Sequence, residues 1–484
     1  MEFEQTDVDL TYDLSDPFLP AIEAVNDTLE DPSKFQFDEL SDILWKQIQT
    51  DLISTANFNY DFNLGENKAY LKTGIKYRSR ERDQTNEAKI YTNFEGDLNL
   101  EEVAGTKKTD PILKNSYNLA PAPDPKKARE FFISNQEQFA LDERRTREQS
   151  DPGSYEVQED ISAAYVMLNM ERGRLRRIVG TRFEKTALDF AANEVIIDNE
   201  GNYQETLART GSSSYQNYFP SAHFRYFLGD KTTLIASWTG TIQRPFYSIL
   251  VPYRNIDYED ERISEGNPQL KPTLYNNLDL SIDYKLSENS TLSLELFQKQ
   301  IKDIVFWEET DITDGEFAGF DLGTYNNGPS ADRQGVKLIW DQKLGEWSPL
   351  LDGFSFNFNI TLLDSETEYP NRPDVILPIT GDHRQKHQLS LSYDKGKTYF
   401  QVLWRRDSDT LQSVDNNPWR ERYSVARDTI NLSASYKLSD SNRLFLDVDN
   451  LLSEPYQSYR GNLTRSSSFS LNEQRISFGL RMKL

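Results

Sequence analysis

"EGNPQLKPTLYNNLDLSIDYKLSENSTLSLELFQKQIKDIVFW", residues 265–307, decides the fold class. A Gly/Pro/Asn lead-in (Gly266, Asn267, Pro268, Pro272) opens into a run in which Leu274, Leu278, Leu280, Ile282 and Tyr284 are separated by polar residues. Period-two alternation marks a strand with one apolar and one wet face. Glu288 to Ser290 turn the chain, and Leu292, Leu294 and Leu296 then alternate with Ser293 and Glu295. The stretch therefore predicts a β-hairpin with a tight turn.

The same unit recurs on both sides. Upstream, Leu52–Leu64 and Lys68–Arg82 flank the turn at Gly65, Tyr155–Asn169 precedes Leu175–Phe190, and Tyr218–Leu228 precedes Thr232–Ile242. Downstream lie Gly335–Leu344, Phe354–Leu362, His387–Tyr393 with Thr398–Arg406, Ile430–Leu438 with Arg443–Asp449, and finally Arg475–Leu484. With a weak first alternation over Thr6–Leu14, about sixteen strands are expected. An even count places both ends of the sheet on the same side.

The connections are more telling than the strands. Short turns near Gly65, Glu171, Gly229, Glu288, Asp394 and Ser439 alternate with long polar loops, among them Asp83–Ser154, which predicts a short helix over Ala128–Ala140. Short turns at one end and long loops at the other are the signature of an all-β transmembrane antiparallel barrel, with periplasmic turns and extracellular loops. A sandwich or propeller has no reason to keep that alternation.

Composition agrees. Hydrophobic residues make up 37% of the 484, with a mean hydropathy of −0.70, and no run of about 18 apolar residues could cross a bilayer as a helix. A barrel tolerates such polarity because only one face of each strand meets lipid. The net charge of −24 disfavours nucleic acid as a partner. Cysteine is absent, so neither disulfide nor thiolate chemistry enters, and "MEFEQTDVDL" lacks the basic and apolar regions of a signal peptide.

No P-loop, dinucleotide fingerprint, HExxH or nucleophile elbow occurs, and no enzymatic activity or cofactor is expected. His383 and His387 are four apart but enter a strand, where that spacing does not converge on a metal. Asp257, Glu259, Asp260 and Glu261 could ligate Ca²⁺, although such a run reads first as a solvated loop. The better contacts for a small-molecule or oligomeric ligand are the loop aromatics Tyr247, Tyr253, Tyr258, Trp307, Trp419 and Tyr456, whose rings can stack on sugars, catecholates or peptides, although several of them are expected in the interfacial aromatic girdle instead, and the sequence does not separate the two sets. Arg244 offers a fork for a carboxylate, or a packing role in the wall.

Several stretches resemble TonB-dependent outer-membrane receptors, in matching order: "VGTRFEKT" (179–186), "YFPSAHFRY" (218–226), "QRP" (243–245), "GNPQLKP" (266–272), "FQKQIKDIV" (297–305) and "VDNLLSEPYQSY" (448–459). The resemblance covers essentially the whole chain, residues 1–484. It implies the C-terminal part of a 22-stranded barrel in the outer-membrane lipid, with TonB-energised uptake of a siderophore, cobalamin, oligosaccharide or peptide. It also implies a plug domain and the TonB complex as partners, yet neither a plug nor a TonB-binding box is recognisable here. The sequence alone therefore leads to the expectation of a partial receptor barrel that is not competent for energised transport by itself. The alternative is a passive pore or adhesin-like barrel.

Overall fold

The computed structural model describes residues 1–6, 8–18, 21–25, 28–105, 122–198, 201–258 and 260–482. Fifteen antiparallel strands, each paired to the next, make one curved wall. They are β1 (Gln36–Leu64), β2 (Asn67–Phe94), β3 (Tyr155–Arg172), β4 (Leu175–Ile197) and β5 (Tyr203–Leu228), followed by β6 (Thr232–Gln243), β7 (Thr273–Lys285), β8 (Thr291–Lys302), β9 (Ala331–Lys343) and β10 (Phe354–Glu368). β11 (Gln385–Lys395), β12 (Thr398–Asp407), β13 (Arg427–Lys437), β14 (Asn442–Asp449) and β15 (Arg475–Met482) complete it.

The opening hairpin is β7–β8, with Leu280 opposite Leu296 and Ile282 opposite Leu294. Its apolar row continues sideways through Val336 and Leu362. Leu278, Leu280, Ile282, Leu294 and Leu296 are each 38–46% exposed, which is what a lipid-facing row requires. At the short-turn end Trp340, Trp347 and Phe356 cluster, and Phe354 meets Tyr393, as in an interfacial aromatic girdle.

The first five wall strands run 18–29 residues and the other ten only 8–15. Crossing a bilayer takes about 9–11 residues of tilted strand, so β1–β5 rise well beyond it on the loop side. The chain between the expected strands Leu175–Phe190 and Tyr218–Leu228 is largely ladder: β4 and β5 stay paired to Ile197↔Tyr203 and are joined only by residues 198–202. Likewise β2 continues past Arg82 to Phe94. Above the membrane both faces of a strand can be polar, so no hydrophobic period marks it.

Two expectations change. Thr6–Leu14 supplies no wall strand; Leu10–Asp13 pairs with Ala21–Ala24 in a separate small hairpin. The wall thus has fifteen strands where about sixteen were expected. The odd count makes β1 and β15 both run from the loop end toward the turn end, so the sheet does not begin and end on one side. Among the described residues no paired register joins β15 to β1.

The loops are structured. α1 (Pro125–Ser134) is capped by Asp124, whose carboxylate accepts from the Lys126 and Lys127 amides, with Pro125 at its first position. α2 (Glu143–Ser150) follows. Phe94, Phe131, Phe132 and Phe139 pack with Leu40 and Tyr91, fastening this loop to the tops of β1 and β2. Strands Thr410–Ser413, Arg422–Ser424, Tyr456–Arg460 and Ser466–Ser470 form a second, four-stranded sheet from two further loops.

Candidate functional site

The wall carries carboxylates on its inner face. Glu159 of β3 is 2% exposed and lies in the inward row with Tyr155, Val157 and Ile161. Its ion pair is with Arg78 of β2. Glu184 of β4 accepts from Arg182 Nε at 2.7 Å. Arg244, just past the end of β6, reaches both acids: its Nη2 donates to Glu184 at 2.6 Å and its Nε lies 3.8 Å from Glu159. Burial of this kind is tolerable only because each charge has partners.

Above this cluster the loop after β6 folds back against the wall. α3 (Tyr247–Leu250) brings Leu250, Val251 and Leu270 onto Tyr155, Val157, Leu188 and Phe190, forming one buried core with Tyr247 and Tyr253 against it. The Arg82 guanidinium lies 5.5 Å from the Tyr247 ring centroid. Burial pushes the Tyr253 hydroxyl above the usual tyrosine range.

The "GNPQLKP" stretch is the brace for this arrangement. The Asn267 amide donates to Ile249 at 2.8 Å, and its side chain donates to the Tyr325 carbonyl at 2.9 Å. Gly266 sits so close to the loop that a Cβ there would lie 1.9 Å from the Val251 carbonyl oxygen. The next loop is thereby tied in: Arg262–Glu265 pairs in parallel with Asp321–Thr324. Tyr258 meets Phe317 and Phe320, and Trp307 packs edge-on to Tyr325 at 5.1 Å.

Beneath lies a cavity of about 470 Å³ lined by Arg244, Phe246, Ile249, Tyr275, Arg333 and Asp382. Phe246 is 74% exposed, and Arg333 Nε donates to Asp382 at 2.9 Å. Arg244, Tyr247 and Tyr253 thus come together, with the first in the ionic cluster and the other two in the core. Tyr258 and Trp307 sit in the neighbouring hairpins. Tyr456 belongs to the four-stranded loop sheet, with Arg427 3.7 Å over its ring, and Trp419, 57% exposed, lies in the turn between two of its strands.

Phe246 directly follows "QRP", a local signal, whereas two further features carry none: the Arg333–Asp382 pair spans 49 residues. So does the Arg372–Glu421 pair, which joins two loops and holds Tyr423, whose hydroxyl donates to Glu421 at 2.8 Å. Among the described residues no group of three His, Cys, Asp or Glu could hold a metal ion. The His383 ring meets the Ser408 carbonyl and His387 meets Gln385; of the acidic run, residue 259 lies outside the described residues.

The model of the outer membrane protein beta-barrel family matches residues 128–480. The chain belongs to the outer membrane protein beta-barrel family. It is an integral protein of the bacterial outer membrane. Solved barrels of similar fold include the ferric-catecholate import receptor Fiu from K12 E. coli, at a TM-score of 0.59 and 14% identity over 90% of this chain and 54% of that one. The ferric citrate transporter FecA follows at 0.56 and 13%, over 92% and 55%. The siderophore receptor PiuA from Acinetobacter baumannii stands at 0.55 and 12%, over 91% and 57%. At such identities the likeness is one of fold, and it is the receptor-barrel fold expected from the motifs. This outer-membrane barrel spans a little over half the length of those structures. No curated protein matches the sequence.

Proposed function

We propose that the chain forms the wall and loop set of an outer-membrane receptor that captures a scarce nutrient for TonB-energised uptake. The observation that carries this reading is the loop after β6, folded inward through Leu250, Val251 and Leu270 onto the inner wall. A passive pore gains nothing from such a brace, whereas a receptor needs loops held rigidly above the lumen. Phe246, Trp419 and Tyr456, all more than half exposed, are the rings offered to ligand. Tyr247 and Tyr253 support the platform. Arg244, with its fork engaged by Glu184, positions the platform and leaves stacking to Phe246 and Tyr275.

Siderophore chelates, cobalamin, oligosaccharides and peptides are the substrate classes in question. Equilibrium binding of a ferric catecholate, a ferric citrate, cobalamin and an oligosaccharide to the detergent-purified protein tests the reading, with saturable binding of one class expected. A steady large conductance in planar bilayers, without binding of any class, overturns it in favour of the pore. Transport is expected to require a plug domain coupled to TonB, and TonB-dependent uptake by residues 1–484 alone would contradict that part.

A further inference from the structure

The lipid-facing side of β1–β4 carries a charge that hydrocarbon does not explain. Ile75, Ala164 and Phe183 lie abreast on that side, and the alternation of each strand from these positions assigns its outward row. Up to the level of Glu81 and Asp189, and apart from Arg172 and Arg177 beside the turn, the outward rows of β1–β4 hold a single cation, Lys185. It is exposed and, among the described residues, in no ion pair. Lys185 stands ten residues above the start of β4, and Ser162, directly opposite, ten residues above the end of β3. Crossing a bilayer takes about 9–11 residues of tilted strand, so this level is where the wall leaves hydrocarbon on the loop side, at the depth of the lipid headgroups.

Directly below Lys185 the wall is hollowed by a trough of about 490 Å³. Ser162 and Ala164 of β3 are its floor, Ile75 and Tyr77 of β2 one side, and Phe183 of β4 the other. The Phe183 ring is held by Tyr218 at 5.0 Å between centroids, and Ile75 stands proud at 63% exposed. The two sides rise from strands about 9–10 Å apart, which leaves the width of one hydrocarbon chain between their side chains. An unfilled trough would forfeit the dispersion contacts of its whole lining.

The head of the trough is polar and of both signs. The Tyr77 hydroxyl donates to Asp160 at 2.9 Å. Asp160 is one outward step above Ser162, hence diagonal to Lys185 at about 7–8 Å. Its carboxylate also accepts from Gln158 at 3.5 Å and retains acceptor sites beyond these two. A cation and an anion thus lie side by side without neutralising one another. Further up, Glu81, Asp83, Glu156 and Asp189 line an acidic depression, which repels a headgroup of net negative charge.

We infer that this trough binds one aminated phospholipid, with an acyl chain over Ser162 and Ala164, the phosphate on Lys185 and the headgroup ammonium at Asp160. The long Lys185 stem can run along the apolar wall while its ammonium stays at headgroup depth. The inference rests on the lipid-facing register and not on the uptake reading. Native mass spectrometry of the detergent-purified protein, titrated with phosphatidylethanolamine or phosphatidylglycerol, reads the bound lipid directly. One ethanolamine lipid per chain is expected, held at least about fivefold more tightly than the glycerol lipid. Lys185→Gln should weaken it at least about tenfold. Asp160→Asn should bring the two lipids within about twofold of one another, and Ala164→Phe, which fills the trough, should weaken both. Unchanged heat-modifiable migration on gels verifies that each variant wall is folded. Equal affinity of the parent for the two lipids, or parental binding by Lys185→Gln, overturns the inference. So does a dimer of the chain that forms without lipid and is lost in Ala164→Phe, which would make the trough an interface between copies.

Discussion

The Arg244 guanidinium donates to the Glu184 carboxylate at 2.6 Å, tying the start of the inward-folded loop to β4, sixty residues earlier in the chain. Glu159, Arg78 and Arg182 complete the cluster. It holds three cations and two carboxylates on a surface where the overall charge is strongly negative.

Arg244→Met leaves Glu184 with Arg182 alone and Glu159 with Arg78 alone. Removing one partner of a largely buried pair costs about 3 kcal/mol, expected as a lowered urea midpoint in detergent. Arg244→Lys should recover only part of this, because an ammonium cannot fork across two acids. The double variant Glu184→Gln with Arg244→Met leaves Arg182 without its carboxylate and should be no more stable than Arg244→Met alone.

Leu280 and Ser281 are adjacent in β7 but face opposite ways. Leu280→Arg puts a guanidinium into the lipid row near its middle and should cost about 2–4 kcal/mol of stability in phospholipid vesicles. Ser281→Arg, directed to the polar side, should stay within about 0.5 kcal/mol of the parent. Equal costs for both would mean that the faces are misassigned.

The contrast between those two residues also explains what was legible beforehand. Lipid demands an apolar side chain at every second position, so β7, β8 and β10 announce themselves in sequence. That demand ends at the membrane surface, and residues 83–94, 191–197 and 203–217 show no period although they are strand. The helix expected over Ala128–Ala140 is α1, Pro125–Ser134, whose start is fixed locally by Asp124 and Pro125. The site was legible only where its chemistry is local. Arg244 stands out inside "QRP", but nothing near it names Glu184, and nothing near Arg372 names Glu421. Tyr247 and Tyr253 read as ligand aromatics because a loop position gives no hint that the loop folds onto Phe190 and Leu188.

Gly266→Ala tests that fold-back directly. A Cβ at this position meets the Val251 backbone oxygen at 1.9 Å, so the backbone itself must move. The expected outcome is rapid proteolysis within residues 246–265, while the heat-modifiable wall on gels is unchanged. Ligand binding is expected to weaken at least about tenfold, about 1.4 kcal/mol. An Ala variant as protease-resistant as the parent would show that the loop does not depend on this close approach.

The loop sheet carries a pH dependence of its own, outside the membrane. Tyr423 donates to Glu421, stacks on Tyr459 at 5.2 Å, and has its hydroxyl pushed up to about 12, first by burial and then by the neighbouring carboxylate. A tyrosine in the unfolded chain ionises near pH 10. The folded-state value is raised, so the stabilising contribution is fully present below about pH 10 and is lost as pH climbs from about 10 to about 12. The phenolate absorbance of Tyr423, read as the difference between the parent and Tyr423→Phe, should appear late, and protease sensitivity within residues 408–426 should rise across the same window. Tyr423→Phe removes both the late titration and that part of the rise. Glu421→Gln should bring the tyrosine back toward its ordinary range, because burial remains while the carboxylate is gone. It also frees Arg372 from its ion partner, so the two loops should part at neutral pH in this variant and not in Tyr423→Phe. Identical behaviour of the two variants would show that the carboxylate acts through Tyr423 alone and does not join the loops.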